Sequence, residues 1–537
     1  MTVDEIKPGM KGVGRSVFSG TRPEEFQVEV IDVMRQVSPG ADLILCRLSG
    51  AGLENSGVIA GMSGSPVYID NKLIGAVAYA WEFAKEPIAG ITPITEMLQI
   101  WELPSRGKGQ NFGLSRIGLN RLPLPVAISG LSPTLEEIIS PVLASWGMKP
   151  CAITSAGGKS DTAQLVPGGV IGVALLDGDV RAAAVGTITH REGNRVIAFG
   201  HPFFLAGDVE LPMTGGVIHS ILPSIANSFK IFSPGAPVGT ISQDRYCGIA
   251  GTIGVPAPMI PVTVRVISPV RQDTFNFRAA RHEQLTPAFI PIGIADVALQ
   301  TEGTLQDVTL KSRIRLVFAK GKETEIEHTF AGVNPIANLY EKTQAELKLI
   351  FENEFQPVEL TRIDAELHFT ASKNSAILLA AIPDRFRIKA GETLIVRLQL
   401  RDYRGEEIER SVTIPLPITT PSGPFTITIS SRDEFLASEC NRALASIKPS
   451  TMEQLLQLLA ESGQEDELIV AGYSGKPGLT VGSRELPQAP PYLRQILSAD
   501  IKGGKIQPTG SSLLFKIPVN LGRVITGSAR LELEVIK

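Results

Sequence analysis

The chain has 537 residues, 43% of them hydrophobic and 20% charged, which is too long for one core and too apolar for disorder, so about three or four folded domains are expected. Its formal net charge is −4, with acids and bases mixed throughout, and this removes the basic face that a nucleic-acid partner needs. Four scattered cysteines without a Cys-x-x-Cys pair argue against zinc, no run approaches the length of a membrane span, and no metal, cofactor or integral membrane segment is expected.

Met1 to Lys7 lacks the basic start and apolar centre of a secretion signal, so no signal peptide is expected in this stretch. Glu25 to Val33 alternates polar and apolar residues with period two, which predicts a half-buried strand. Strands are also expected at Asp42 to Leu48, with Cys46 in its core, and at Leu73 to Trp81 and Ile88 to Ile94. With tight turns between them they make a small barrel or sandwich ending near Trp101. Residues 102–120 read as a linker, and Ser132-Pro133 with Glu136 and Glu137 opens a helix. A Gly/Ser-rich loop from Thr154 to Asp161 follows it.

From Pro167 the strand pattern returns in Val170 to Leu176, Ala182 to Ile188, Arg195 to His201, Phe232 to Ser242, Gly248 to Gly254 and Val262 to Ile267. A helix near Thr286-Pro287 and a strand from Val308 to Phe318 extend this second β-unit. A helix from Pro335 to Phe351 then leads to strands at 358–371, 376–381, 392–401 and 408–415, spaced as in a sandwich. The tail opens with a capping box, Ser450-Thr451-Met452-Glu453, followed by short strands to Lys537.

One cluster carries chemistry. Gly61-Met62-Ser63-Gly64-Ser65-Pro66 sets a serine among glycines on a tight turn, where Ser63 can act as a nucleophile and the Gly61 and Ser63 amides can converge on an oxyanion. The same composition also makes an ordinary β-turn. A hydroxyl nucleophile needs a base. Of six histidines only His201, in Gly200-His201-Pro202, ends a strongly apolar strand; His190, His219, His282, His328 and His368 read as surface or packing residues.

Together, these two sites resemble the SpoIVB-type sporulation serine peptidases, relatives of the chymotrypsin-like double-β-barrel clan. The similarity takes in Glu25-Phe26 to Val33, Gly57-Val58-Ile59 and Lys72 to Val77 around the serine. It also takes in Gly186-Thr187-Ile188, Ala198 to His201 and Gly239 to Ile249 around the histidine. The resemblance implies Ser63 as nucleophile, His201 as general base and then acid, the Gly61 and Ser63 amides as the oxyanion hole, and a protein or peptide substrate. It also implies extracytoplasmic action, periplasmic or secreted, and an active site in the cleft between two barrels. The expected fold is mainly β, with two chymotrypsin-like β-barrel halves followed by a β-sandwich and a small α+β tail. The segments are 1–101 with the nucleophile, 102–164 as linker and helix, 165–330 with the histidine, 331–432 as helix and sandwich, and 433–537 as the tail.

Two departures from the family pattern stand out. Ser63 precedes His201, whereas the prototype has its histidine half first, so the chain resembles a circular permutation; triads tolerate several chain orders. The prototype's acid before the serine has no counterpart in Arg47-Leu48-Ser49-Gly50. Asp42 and Asp208 are candidates to orient the imidazole, and a Ser–His dyad is the other option. Ala89-Gly90-Ile91 is a candidate edge strand for pairing with a peptide substrate. The alternatives to a peptidase are a scaffold that keeps the fold without efficient chemistry and a small-molecule esterase, which would want a strand-to-helix elbow where strands follow Ser63.

Overall fold

The computed structural model of the chain describes residues 1–102, 120–152, 165–302, 307–332, 334–462, 465–481, 484–492, 495–496 and 506–536. Residues 103–119 of the expected linker and the expected loop Thr154 to Asp161 lie outside them. Strands hold 52% of residues and helices 19%, so the chain is mainly β, as its short Val- and Ile-rich runs require. It forms two compact units, one of Met1–Val262 with Phe275–Asp296 and one of Thr263–Thr274 with Val297–Lys537.

In the first unit, β1 (Lys11–Ser16), β2 (Glu24–Ser38), β3 (Ala41–Ser49), β4 (Pro66–Ile69), β5 (Lys72–Ala80) and β6 (Ile88–Pro93) pair in the order β1-β2-β3-β6-β5-β4. β4 pairs back with β1, so the ring closes and leaves no edge. The expected alternation lies in β2, where Phe26, Val28 and Val30 turn inward; Leu48 and Cys46 stand opposite the last two and join the same core.

A second closed ring follows. β7 (Val170–Gly178), β8 (Ala182–Glu192), β9 (Arg195–Ala198), β10 (Gly207–Leu222), β11 (Phe229–Arg245) and β12 (Gly248–Ile253) pair in the order β7-β8-β9-β12-β11-β10 and back to β7. Both rings therefore run first, second, third, sixth, fifth, fourth strand. Ser63 and His201 occupy corresponding places in them, each in the loop between the third and fourth strand. Ala76 of β5 packs with Ile197, Cys247 and Ala250, which joins the two barrels. The expected helix spans Pro133–Ser145, and Ser132 Oγ accepts the Leu135 N–H at 3.2 Å as its cap.

In the second unit, Thr309–Phe318 pairs with Glu323–Phe330 on one side and Leu360–Thr370 on the other. The helix Pro335–Phe351 starts where expected, capped by Asn334. A sandwich follows, with a four-stranded sheet (Ser375–Pro383, Thr393–Asp402, Glu407–Pro415, Val524–Thr526) and a five-stranded one (Arg387–Lys389, Gly423–Ser431, Glu467–Ser474, Ser512–Asn520, Ser528–Ile536). Leu394, Val396, Ile414, Ile427 and Leu468 share its core, so strands of the 433–537 segment complete the sandwich. The strand expected at 358–371 pairs with Thr309–Phe318 instead. Alternation marks a strand and its buried face but carries no information about its partner.

Candidate active site

The loop that carries Ser63 is bent by Gly61 and Gly64, at φ +97° and +94°, a region open to glycine without strain. A Cβ on Gly64 would overlap the Thr187 carbonyl oxygen and stand 2.5 Å from the Phe199 nitrogen, so the loop meets β8 and the end of β9 backbone to backbone. Thr187 N–H donates to the Ser63 carbonyl at 2.8 Å, Thr187 Oγ1 to Gly61 O at 3.0 Å, and Thr189 Oγ1 to Gly64 O at 2.8 Å. The second barrel thus holds the Ser63 loop of the first.

His201 sits in a turn held just as firmly. Thr92 Oγ1 donates to Gly200 O at 2.6 Å, and Arg121 reaches the carbonyls of Phe203 at 3.2 Å and of Trp146. The buried Asp244 carboxylate accepts the N–H groups of Phe203, Phe204 and Ala206 at 2.7, 2.6 and 3.1 Å. Burial pushes that carboxyl up, and the amides partly offset the shift. The Val77 carbonyl oxygen links the two turns: it accepts the Gly64 N–H at 2.7 Å and lies 3.2 Å from where a Gly200 side chain would begin. Ser63 and His201, one residue along from each glycine, are therefore on adjoining loops.

Both residues are 0% exposed, and among the described residues Ser63 Oγ and His201 Nε2 make no hydrogen bond, to each other included. Unpaired buried polar atoms are rare and costly, so two on adjoining loops call for a functional reason. His201 Nδ1 lies 2.9 Å from the Pro202 carbonyl oxygen. A carbonyl only accepts, so Nδ1 carries the proton and Nε2 keeps a lone pair. Burial pushes the imidazole down to about 4; the Pro202 hydrogen bond opposes this and the Arg121 charge adds to it, leaving the ring neutral at pH 7. Among the described residues, no acceptor takes the N–H of Gly61 or of Ser63.

The remaining sequence candidates lie elsewhere. Asp42 pairs with Arg35 at 2.9 Å and accepts the Gln36 N–H, while Asp208 pairs with Arg245 at 2.7 Å; neither hydrogen-bonds His201. Ala89, Gly90 and Ile91 do not form an edge. β6 pairs with β3 through Ile44, Leu45 and Cys46 and with β5 through Val77, Tyr79 and Ala80, and closure of the barrel uses both of its sides. Of the other histidines, His219 bonds Ser233, His282 receives the amides of Gln284 and Leu285, His190 packs on Trp101, His368 pairs with Glu366, and His328 pairs with two glutamates. Sequence reasoning did not single out Thr187, Arg121, Asp244 or Lys230, a fully buried lysine packed on Gly61. No local spacing announces them, because they reach the site from three separate strands, with Lys230 and Asp244 at opposite ends of β11.

Residues 2–98 match the sequence model of the family described as SpoIVB peptidase S55. The match covers the first barrel and Ser63, and it supports a serine peptidase of the SpoIVB kind, as the motif Gly61 to Pro66 suggested. It ends before His201. Comparison with curated proteins and with solved structures gave no match. Among the described residues, no helix is long and apolar enough to cross a membrane.

Proposed function

We propose that this chain is a serine endopeptidase of the SpoIVB kind, acting on protein or peptide substrates, itself among them, through an acyl-enzyme on Ser63. Ser63 Oγ attacks the scissile carbonyl carbon as its proton passes to His201 Nε2, and the new oxyanion is met by the Gly61 and Ser63 N–H groups. The imidazolium returns that proton to the leaving amine, and a water then repeats the sequence to release the acyl group. The Pro202 carbonyl, by accepting from Nδ1, does the orienting work that a carboxylate does in a triad; Asp42 and Asp208 have no part in it. On this reading the barrels run in permuted order and the protein acts outside the cytoplasm.

One observation carries this reading: a buried hydroxyl and a buried imidazole nitrogen on adjoining loops, beside two amides, all four without a hydrogen-bond partner among the described residues. The test is labelling by a fluorophosphonate probe. Wild type is expected to label at Ser63, while Ser63→Ala and His201→Ala fold and do not label; equal labelling of Ser63→Ala would end the proposal.

A second reading, a binding or scaffold protein with weak or no chemistry, is favoured by the burial of both residues, since no substrate reaches a 0% exposed serine without an opening movement. A folded wild-type chain that never labels, with or without added protein substrate, would support it.

A further inference from the structure

Lys230, near the start of β11, is 0% exposed, and no carboxylate lies within ion-pair distance of its Nζ among the described residues. A buried ammonium without a counter-charge is among the costliest groups a fold can carry, whereas a methionine of similar volume would carry no such cost. The residue is tied into the nucleophile loop at three points. Its backbone N–H donates to Ala60 O at 3.1 Å, its stem lies 3.1 to 3.4 Å from where a Gly61 side chain would begin, and its Nζ lies 2.9 Å from Ser16 Oγ. Ser16 Oγ is in turn 3.0 Å from Ser65 Oγ, two residues beyond the nucleophile.

We propose that Lys230 is a positioning residue for Ser63, holding the loop from Ala60 to Ser65 from both flanks through a Ser65–Ser16–Lys230 chain whose direction is set by whether the amine is charged. The proposal rests on Ser63 being the nucleophile. A neutral amine has one lone pair, so Ser65 can donate to Ser16 and Ser16 to Nζ, with each hydroxyl donor used. An ammonium has no lone pair and donates to Ser16, which turns the chain round: Ser16 then donates to Ser65, and the Ser65 proton, two residues from the nucleophile, loses its acceptor in the chain. Among the described residues the amine's hydrogen-bond partner is the Ser16 hydroxyl, with Ser65 behind it and Gly61 against the stem, and burial alone pushes Lys230 down to about 7. His201 titrates well below that.

The experiment uses the full chain and the variants Lys230→Met, Ser16→Ala and Ser63→Ala. The fluorophosphonate labelling rate is followed from pH 4 to 9, thermal stability is measured, and hydrogen exchange is read on the peptide covering residues 58–66. In wild type, labelling is expected to fall as pH drops through about 7, and again near 4 where His201 takes up its proton. Lys230→Met is expected to be at least as heat-stable as wild type, to label at least tenfold more slowly with the step near 7 gone, and to exchange faster at 58–66. Ser16→Ala should reproduce the slow labelling and the faster exchange, which covers a Lys230→Met chain that fails to fold. Unchanged labelling profile and unchanged loop exchange in Lys230→Met overturn the proposal. Labelling that persists in Ser63→Ala defeats the nucleophile assignment instead, and the exchange result then shows on its own whether Lys230 holds the loop.

Discussion

His201 in the first unit and His328 in the second are both buried, and the chain treats them in opposite ways. His328 is clamped between two carboxylates, with Nε2 2.6 Å from Glu346 and Nδ1 2.6 Å from Glu465. Burial opposes its charge, but the hydrogen bonds and charges of the two glutamates outweigh that and push it up to about 9. Among the described residues, His201 has no carboxylate partner, one backbone carbonyl on Nδ1, and nothing on Nε2. A histidine with both nitrogens satisfied by acids is a fastening. One left neutral, with a single open lone pair on a loop adjoining that of a buried serine, fits the base of the proposed mechanism. The sequence alone ranked both only by their surroundings, as a turn against a strand.

This contrast is sharpest under substitution. His201→Ala is expected to slow labelling of Ser63 by about 10³-fold or more, in line with losing the base of a serine nucleophile, at little cost in stability. His328→Ala is expected to do the reverse, leaving labelling intact in the folded fraction while the buried Glu346 and the partly buried Glu465 lose their shared partner, at about 3 kcal/mol in chemical denaturation. If both variants lose stability and keep labelling, the distinction between the two histidines collapses.

Backbone contact between the barrels gives the next effect in size. Gly64→Ala places a methyl group against the Thr187 carbonyl and the Phe199 nitrogen at a positive φ, and about 3 kcal/mol or more of destabilisation is expected from thermal or denaturant unfolding. Tolerance of that substitution would mean that the loop does not meet the second barrel as described.

The two histidines also predict pH effects of opposite direction. His201 is depressed from the ordinary histidine value of about 6.5, so the unfolded chain binds the proton first, and stability falls as pH drops from about 6.5 towards 4, by up to about 3 kcal/mol. His328 is raised, so its contribution is fully present below about 6.5 and is lost as pH rises through about 9, again by up to about 3 kcal/mol. Denaturant titrations of His201→Ala and His328→Ala across these windows separate the two. Each variant should flatten one side of the stability profile and leave the other. The smallest effect is expected at the acids once considered for orienting the imidazole. Asp42→Asn and Asp208→Asn break exposed or half-exposed pairs with Arg35 and Arg245, and each should change labelling less than about threefold and stability by under about 1 kcal/mol.

Much of the site was legible because its chemistry is local in sequence. Gly61 to Pro66 announces a turn that only glycine can make, and Gly200-His201 follows an apolar strand; those signals name Ser63 and His201. The alternation in Glu25 to Val33 likewise gave β2 and its buried face. What was not legible depends on pairing between distant segments. Ala89 to Ile91 reads as an edge strand until β3 and β5 close over both of its sides. The common strand order of the two barrels leaves no trace in composition. Asp244 and Lys230, charged residues near the two ends of one long strand, look like solvent-facing positions. Only the fold brings Asp244 under the His201 turn and Lys230 under Gly61.

The most direct measurement of the central claim is to react the folded full-length chain with a fluorophosphonate probe, digest it and locate the adduct by mass spectrometry. The account predicts a single adduct on Ser63 that is lost in His201→Ala. An adduct on another residue, or one on Ser63 whose rate is the same without His201, would contradict it.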